Sequence, residues 1–175
     1  MKSTVVLVVF LLLATSVSEA QLLQTPGSLA VGPTIEFSFP IKTLADKVNT
    51  GIGGSARIQY VAMKDLALVG TVGYLSWGSN DVPNVTSKAH ALELLAGPKF
   101  GFGSGVYAGI DLGIYMASTE FSVSGVNPIK KDETKAMAGV FLGYESSGFD
   151  VGLRYYPFDS DYTNVTIGIG YWFEL

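Results

Sequence analysis

The chain has no cysteine, so neither disulfides nor thiolate metal sites hold it together. Charged residues are only 15 % of the total and leave a net charge of −4 at pH 7. That balance excludes the basic footprint of a nucleic-acid-binding protein. Long apolar runs are scarce as well. The one that stands out, Val5 to Ala14, is shorter than the roughly 20 residues a membrane-spanning helix needs.

That run follows Lys2 and is closed by small residues at Ser18 and Ala20. A positive start, a short apolar stretch and a small-residue end are the layout of a cleavable export signal, here with cleavage after Ala20. Export without disulfides is ordinary for a bacterial envelope protein.

Glycine (21 residues) and aromatics (12 %) are plentiful. The glycines sit inside apolar runs that alternate with period two, the pattern of strands with one apolar face. The clearest is the final stretch, Thr163 to Leu175. Val165, Ile167, Ile169, Tyr171, Phe173 and Leu175 share one of its faces, and Thr166, Gly168, Gly170, Trp172 and Glu174 share the other. Seven further runs precede it: 34–41, 51–63, 66–77, 89–102, 106–117, 136–145 and 149–156. The segment before Pro33 has no sustained period.

The connections alternate in length: long at 42–50, 78–88 and 118–135, short at 64–65, 103–105 and 146–148, intermediate at 157–162. Transmembrane barrels combine an even strand number with short periplasmic turns and longer external loops. With that topology imposed, Tyr60, Phe100, Phe102, Tyr144, Phe149, Tyr171 and Phe173 gather at the short-turn rim, and Phe39, Tyr74 and Tyr155 at the other. Two aromatic bands fit a bilayer-spanning barrel; a soluble lipocalin-like barrel has no reason to sort its aromatics this way. The expected fold is therefore all-β, an eight-stranded antiparallel up-and-down transmembrane barrel over 33–175, with a signal peptide at 1–20 and a periplasmic lead-in at 21–32.

In this register the inward charges are Glu36, Arg57, Glu93, Lys99, Asp111, Glu145, Asp150, Arg154 and Glu174. Of these, Glu36, Arg57, Glu93, Lys99, Asp111 and Arg154 are the candidates for a charge-assisted network across the lumen. Inward glycines alternate with Tyr107, Tyr115, Phe141, Tyr156 and Trp172. Side chains just fill a barrel of this size, so a filled polar lumen is expected over an aqueous pore. A narrow acidic channel or transporter is the alternative.

Sites of chemistry are sparse. His90 is the only histidine, and a lone histidine near a strand end reads as a solvated or interfacial residue. No nucleophile, base and orienter fall together. Asp159, Ser160 and Asp161 lack calcium-loop spacing, and Gly101 to Gly105 joins two strands, as a hairpin turn does. No cofactor, metal or catalytic role is expected.

Over Pro33 to Leu175 the chain resembles the small bacterial outer-membrane β-barrels, the group of OmpA- and OmpX-like eight-stranded barrels. The most specific match is the terminal strand. The family's assembly signal reads polar-x-Gly-x-x-aromatic-x-aromatic, and Thr166, Gly168, Tyr171 and Phe173 meet it in order. Leu175 closes the chain in phase, where the family usually has Phe. The resemblance implies passage through the periplasm, recognition by the barrel-assembly machinery, and residence in the outer-membrane lipid bilayer. The missing catalytic set and the asymmetry of the loops point to a structural or surface-binding role rather than an enzymatic one, with a surface ligand met by the long loops, above all 118–135.

Overall fold

A computed structural model describes residues 25–41, 43–79, 85–123, 127–157 and 163–175. The export signal read at 1–20 and the acidic loop residues 159–161 lie outside them. In chain order the elements are β1 (Leu29–Pro40), α1 (Thr43–Lys47), β2 (Val48–Met63), β3 (Leu66–Ser79), β4 (Val85–Gly101), β5 (Val106–Val123), β6 (Ile129–Ser146), β7 (Phe149–Tyr156) and β8 (Asn164–Tyr171). Phe173–Glu174 continues β8 in the same register against β1.

Every strand pairs antiparallel with its sequence neighbour, and β1 also pairs with β8, so the sheet closes on itself. Closure matters because hydrocarbon offers no partner for the backbone groups of an open edge. The short turns are built for tight reversal. Ser147 and Gly148 both have positive φ (50° and 81°), as a type I′ hairpin requires.

The barrel is inverted relative to a soluble protein. Ile52, Leu68, Leu112 and Leu142 are each more than half exposed, whereas Glu36, Glu93, Lys99 and Asp150 are buried. Placing Arg or Lys toward the bilayer midplane costs about 2–4 kcal/mol, so the alternation selects one register: charges in, aliphatics out. Apart from Glu174, the sequence runs point the way their period indicates, including β3, where Leu68, Val72 and Tyr74 face out and Ala67, Val69 and Leu75 face in. Both aromatic bands are present. At the short-turn rim Tyr171 stacks against Phe149 and Phe173, with ring centroids 6.4 and 4.9 Å away.

Three boundaries differ from the sequence reading. β1 starts at Leu29 rather than after Pro33, because Leu29 to Gly32 pair with Tyr60 to Arg57; the Gly32-Pro33 step hides the period. The long polar stretches are largely strand and helix. In particular, 118–123 and 129–135 are not loop but the outer half of the β5–β6 hairpin, paired from Ser118↔Asp132 to Phe121↔Ile129. Both of its faces are polar, so no hydrophobic period reveals it. Finally, Glu174 is exposed rather than lumenal. The terminal strand breaks at Trp172, whose N–H donates to the Gly148 carbonyl (2.7 Å). Its neighbour Tyr171 lies opposite Pro33, which has no N–H to give, and Glu174 falls one rung beyond the packed interior.

Candidate functional site: the barrel interior and outer rim

Period-two alternation delivers side chains from all eight strands into the interior, where they sort into two tiers. Near the short turns, Arg57 Nη1 donates to Asp150 Oδ1 (3.0 Å). The other oxygen, Asp150 Oδ2, accepts from Tyr107 Oη (3.0 Å) and Trp172 Nε1 (3.2 Å). Lys99 Nζ donates to Glu145 and to Gln59 Oε1 (2.9 Å). It also lies 4.1 Å from the Tyr107 ring centre, and the Arg57 guanidinium lies 4.5 Å from that of Trp172. In this tier each charge has an opposite charge and neutral donors or rings around it, the condition under which buried ions are tolerated.

The tier above is less balanced. Arg154 Nη1 donates to Glu36 Oε1 (3.2 Å), and Arg154 Nε stands 3.6 Å from Asp111 Oδ2. Ser55 Oγ donates to the same Glu36 oxygen (2.6 Å). Glu93 is fully buried, and neither of its carboxylate oxygens has a hydrogen-bond partner.

Of the six candidates for the lumenal network, Glu36, Asp111 and Arg154 therefore meet one another. Arg57 and Lys99 go to Asp150 and Glu145 instead, and Glu93 bonds to none. Asp150 and Glu145 were recognisable as inward, flanking the Ser147-Gly148 turn. What brings them to Arg57 and Lys99 is the stagger of strands across the barrel, which no single strand's period encodes.

Large side chains close the remaining space by lying over glycines on the next strand. A Cβ at Gly143 would stand 2.3 Å from Tyr107 Oη, one at Gly109 2.2 Å from Phe141 Cζ, and one at Gly139 2.4 Å from Tyr156 Cδ1. The void left among Glu36, Asp111, Arg154 and their neighbours is about 20 Å³, room for one water.

At the outer rim His90 pairs across the ladder with Ser76 and Ser118, and Ser118 with Asp132. The linear sequence hid both serines, which lie on other strands. The order is wrong for a triad, in which the base sits between nucleophile and acid; here Ser118 separates His90 from Asp132. Ser118 and the Lys130 ammonium (3.3 Å) hold the exposed Asp132 carboxyl below its usual range. Among the described residues no group of three or more metal-ligating side chains is disposed to hold an ion.

At the terminal strand, Thr166 is buried toward the interior and Gly168 is half-buried beside Thr34. Tyr171, Phe173 and Leu175 are exposed on the outer face.

No family model and no curated protein matches the chain. Solved structures do. The attachment invasion locus protein Ail of Yersinia pestis superposes with a TM-score of 0.59 at 19 % identity, covering 85 % of this chain and 100 % of Ail. The fold is that of an eight-stranded outer-membrane barrel. Neisserial surface protein A (TM-score 0.52, 17 % identity, 84 % of this chain and 97 % of that one) shares it. So does the N-terminal barrel domain of Pseudomonas aeruginosa OprF (0.52, 18 %, 86 % and 100 %). At such identities the likeness carries the architecture of the barrel and not the role of any one of these proteins.

Proposed function

We propose that this chain is an exported, non-enzymatic outer-membrane barrel whose filled interior is a scaffold for surface recognition by its protruding strands. The observation that carries the reading is the unequal length of the strands. Among the described residues β7 pairs with β6 from Ser146 to Val140, whereas β6 runs on to Ile129 paired with β5. The outer parts of β5 and β6 thus extend as a hairpin beyond the last β6–β7 pair. Such a protruding hairpin can present its outer strand to an extended segment of another chain.

Its charges favour a peptide over a polyanion. Lys130 pairs with Asp132 (3.3 Å), and Lys131 and Lys135 both pair with Glu133, so the strand has no single-sign field. Ail has been crystallised with the heparin analogue sucrose octasulfate; the mixed charge of the strand here points away from a sulfated ligand. The filled interior supports a scaffold over a channel, and the order of His90, Ser118 and Asp132 among the described rim residues, which is not that of a triad, supports a non-enzymatic role.

In the same reading, residues 1–20 are removed on export and the segment before β1 lies in the periplasm. Thr166, Gly168, Tyr171, Phe173 and Leu175 present the terminal strand to the assembly machinery. Deleting 118–135 tests the proposal. The shortened protein should still fractionate with the outer membrane and migrate heat-modifiably on a gel, while cells carrying it lose adhesion to protein-coated surfaces. Unchanged adhesion would count against the hairpin as the contact.

A further inference from the structure

The outer end of the barrel holds a second space that neither the charge tiers nor the protruding β5–β6 hairpin uses. Trp77 and Tyr115 form its floor, their ring centroids 6.4 Å apart. Ala117 forms part of its wall, Leu44 of α1 and Val48 of β2 close over it, and all five residues are buried. Leu75 and Ala91, packed in the same apolar cluster and fully buried, belong to the inward faces of β3 and β4. The cavity measures about 120 Å³. For comparison, an apolar cavity of about 150 Å³ engineered into another protein takes up benzene and stays dry otherwise. Lys131 carries the only full charge among the described residues lining the cavity, and it does so from an exposed position on β6.

We propose that this cavity is a binding site for a small aryl carboxylate, a single aromatic ring bearing one anionic group. Size, shape and charge each contribute. The volume admits one ring and excludes an acyl chain. The rings of Trp77 and Tyr115, tilted 55° to each other, and two alanines give an apolar site in which edge-on ring contacts are favoured. Lys131 sets the polarity, since a ligand whose ring is in the cavity presents its carboxylate to the ammonium at the mouth. The ammonium already faces Glu133, so the ligand's carboxylate competes with or joins that pair. Alanine at 89 and 117 is what makes the room, because a larger inward residue there would fill the cavity.

The chain has two tryptophans, one at this site and one, Trp172, at the opposite end of the barrel against the Gly148 turn. Protein labelled with 5-fluorotryptophan should therefore give two fluorine resonances, assigned with Trp172→Phe. Titrating benzoate into the full-length protein should shift the Trp77 signal saturably and leave that of Trp172 in place. Lys131→Gln should weaken benzoate binding by roughly two- to fivefold, the scale of an exposed ion pair. Benzyl alcohol should bind the parent protein as weakly as benzoate binds that variant. Ala117→Leu should abolish the shift, with Ala89→Leu as a second filling variant should the first fail to migrate heat-modifiably. A Trp77 signal indifferent to benzoate overturns the site. Equal movement of both tryptophans, or a shift that survives both filling variants, shows non-specific partitioning and overturns it too. Equal affinity for benzoate and benzyl alcohol overturns the anionic assignment.

Discussion

Glu93 and Asp150 show how differently one residue type can be placed in the same interior. Asp150 accepts from Arg57, Tyr107 and Trp172, so its carboxylate is fully committed. Asp150→Asn leaves Arg57 buried without a counter-charge, and breaking one side of such a pair costs about 3–5 kcal/mol. The variant should show a clearly lower denaturant midpoint in refolding from urea into lipid vesicles; an unchanged midpoint would remove the pair from the barrel's stabilising contacts. Glu93 is the opposite case. It is buried with no hydrogen-bond partner, and Arg154 is already shared by Glu36 and Asp111. A buried polar group without partners is a cost rather than a gain. Glu93→Gln, which keeps the shape and removes the charge, should therefore match or exceed the parent protein in the same assay. A large loss would mean that Glu93 holds the upper tier together.

Which way a side chain points was legible in the sequence because a strand has only two faces and lipid punishes the wrong one. Which strands extend beyond the membrane was not. The outer part of β6, with Lys130, Lys131, Asp132, Glu133 and Lys135 on consecutive or near-consecutive positions, meets water on both faces and so carries no apolar period to read. Backbone pairing with β5 holds it, and that is visible only once Ser118↔Asp132 and its neighbours are in register. The partners of Arg57 and Lys99 were hidden for a related reason, because they depend on stagger between strands. The protruding part of β6 has its own signature. In amide exchange, alternate residues of 129–139 that point away from β5 should lose protection quickly, while 140–146, paired on both sides, stay protected. Uniform protection along β6 would mean that something else covers that part. The terminal strand makes a different demand: Tyr171 and Phe173 are exposed on its outer face at the rim. Replacing both with serine should stall insertion and leave the protein in the periplasmic fraction, whereas normal insertion would deny them a part in assembly.

At the scale of the whole molecule, the closed sheet fixes what the interior can and cannot do. Closure leaves no lateral opening in the backbone ladder, so any path across the membrane must run down the axis. There the glycine-backed rings of Tyr107 and Phe141, in edge-on contact with centroids 6.1 Å apart, lie next to the lower charge tier. Conductance requires binding weak enough to leave as well as enter, and a tier of mutually bonded ions and donors satisfies neither. The parent protein should give no unitary current steps in planar bilayers. The buried acids Glu36, Glu93, Asp111, Glu145 and Asp150 outnumber Arg57, Lys99 and Arg154, which makes the sealed interior negative overall. Truncating the plug with Tyr107→Ala and Phe141→Ala together should therefore open a small conductance, and the excess of acids should make it prefer cations, visible as a shifted reversal potential across a potassium chloride gradient. Steady current in the parent protein would overturn the sealed interior. An anion-selective current in the double variant would overturn the charge argument while leaving the plug intact.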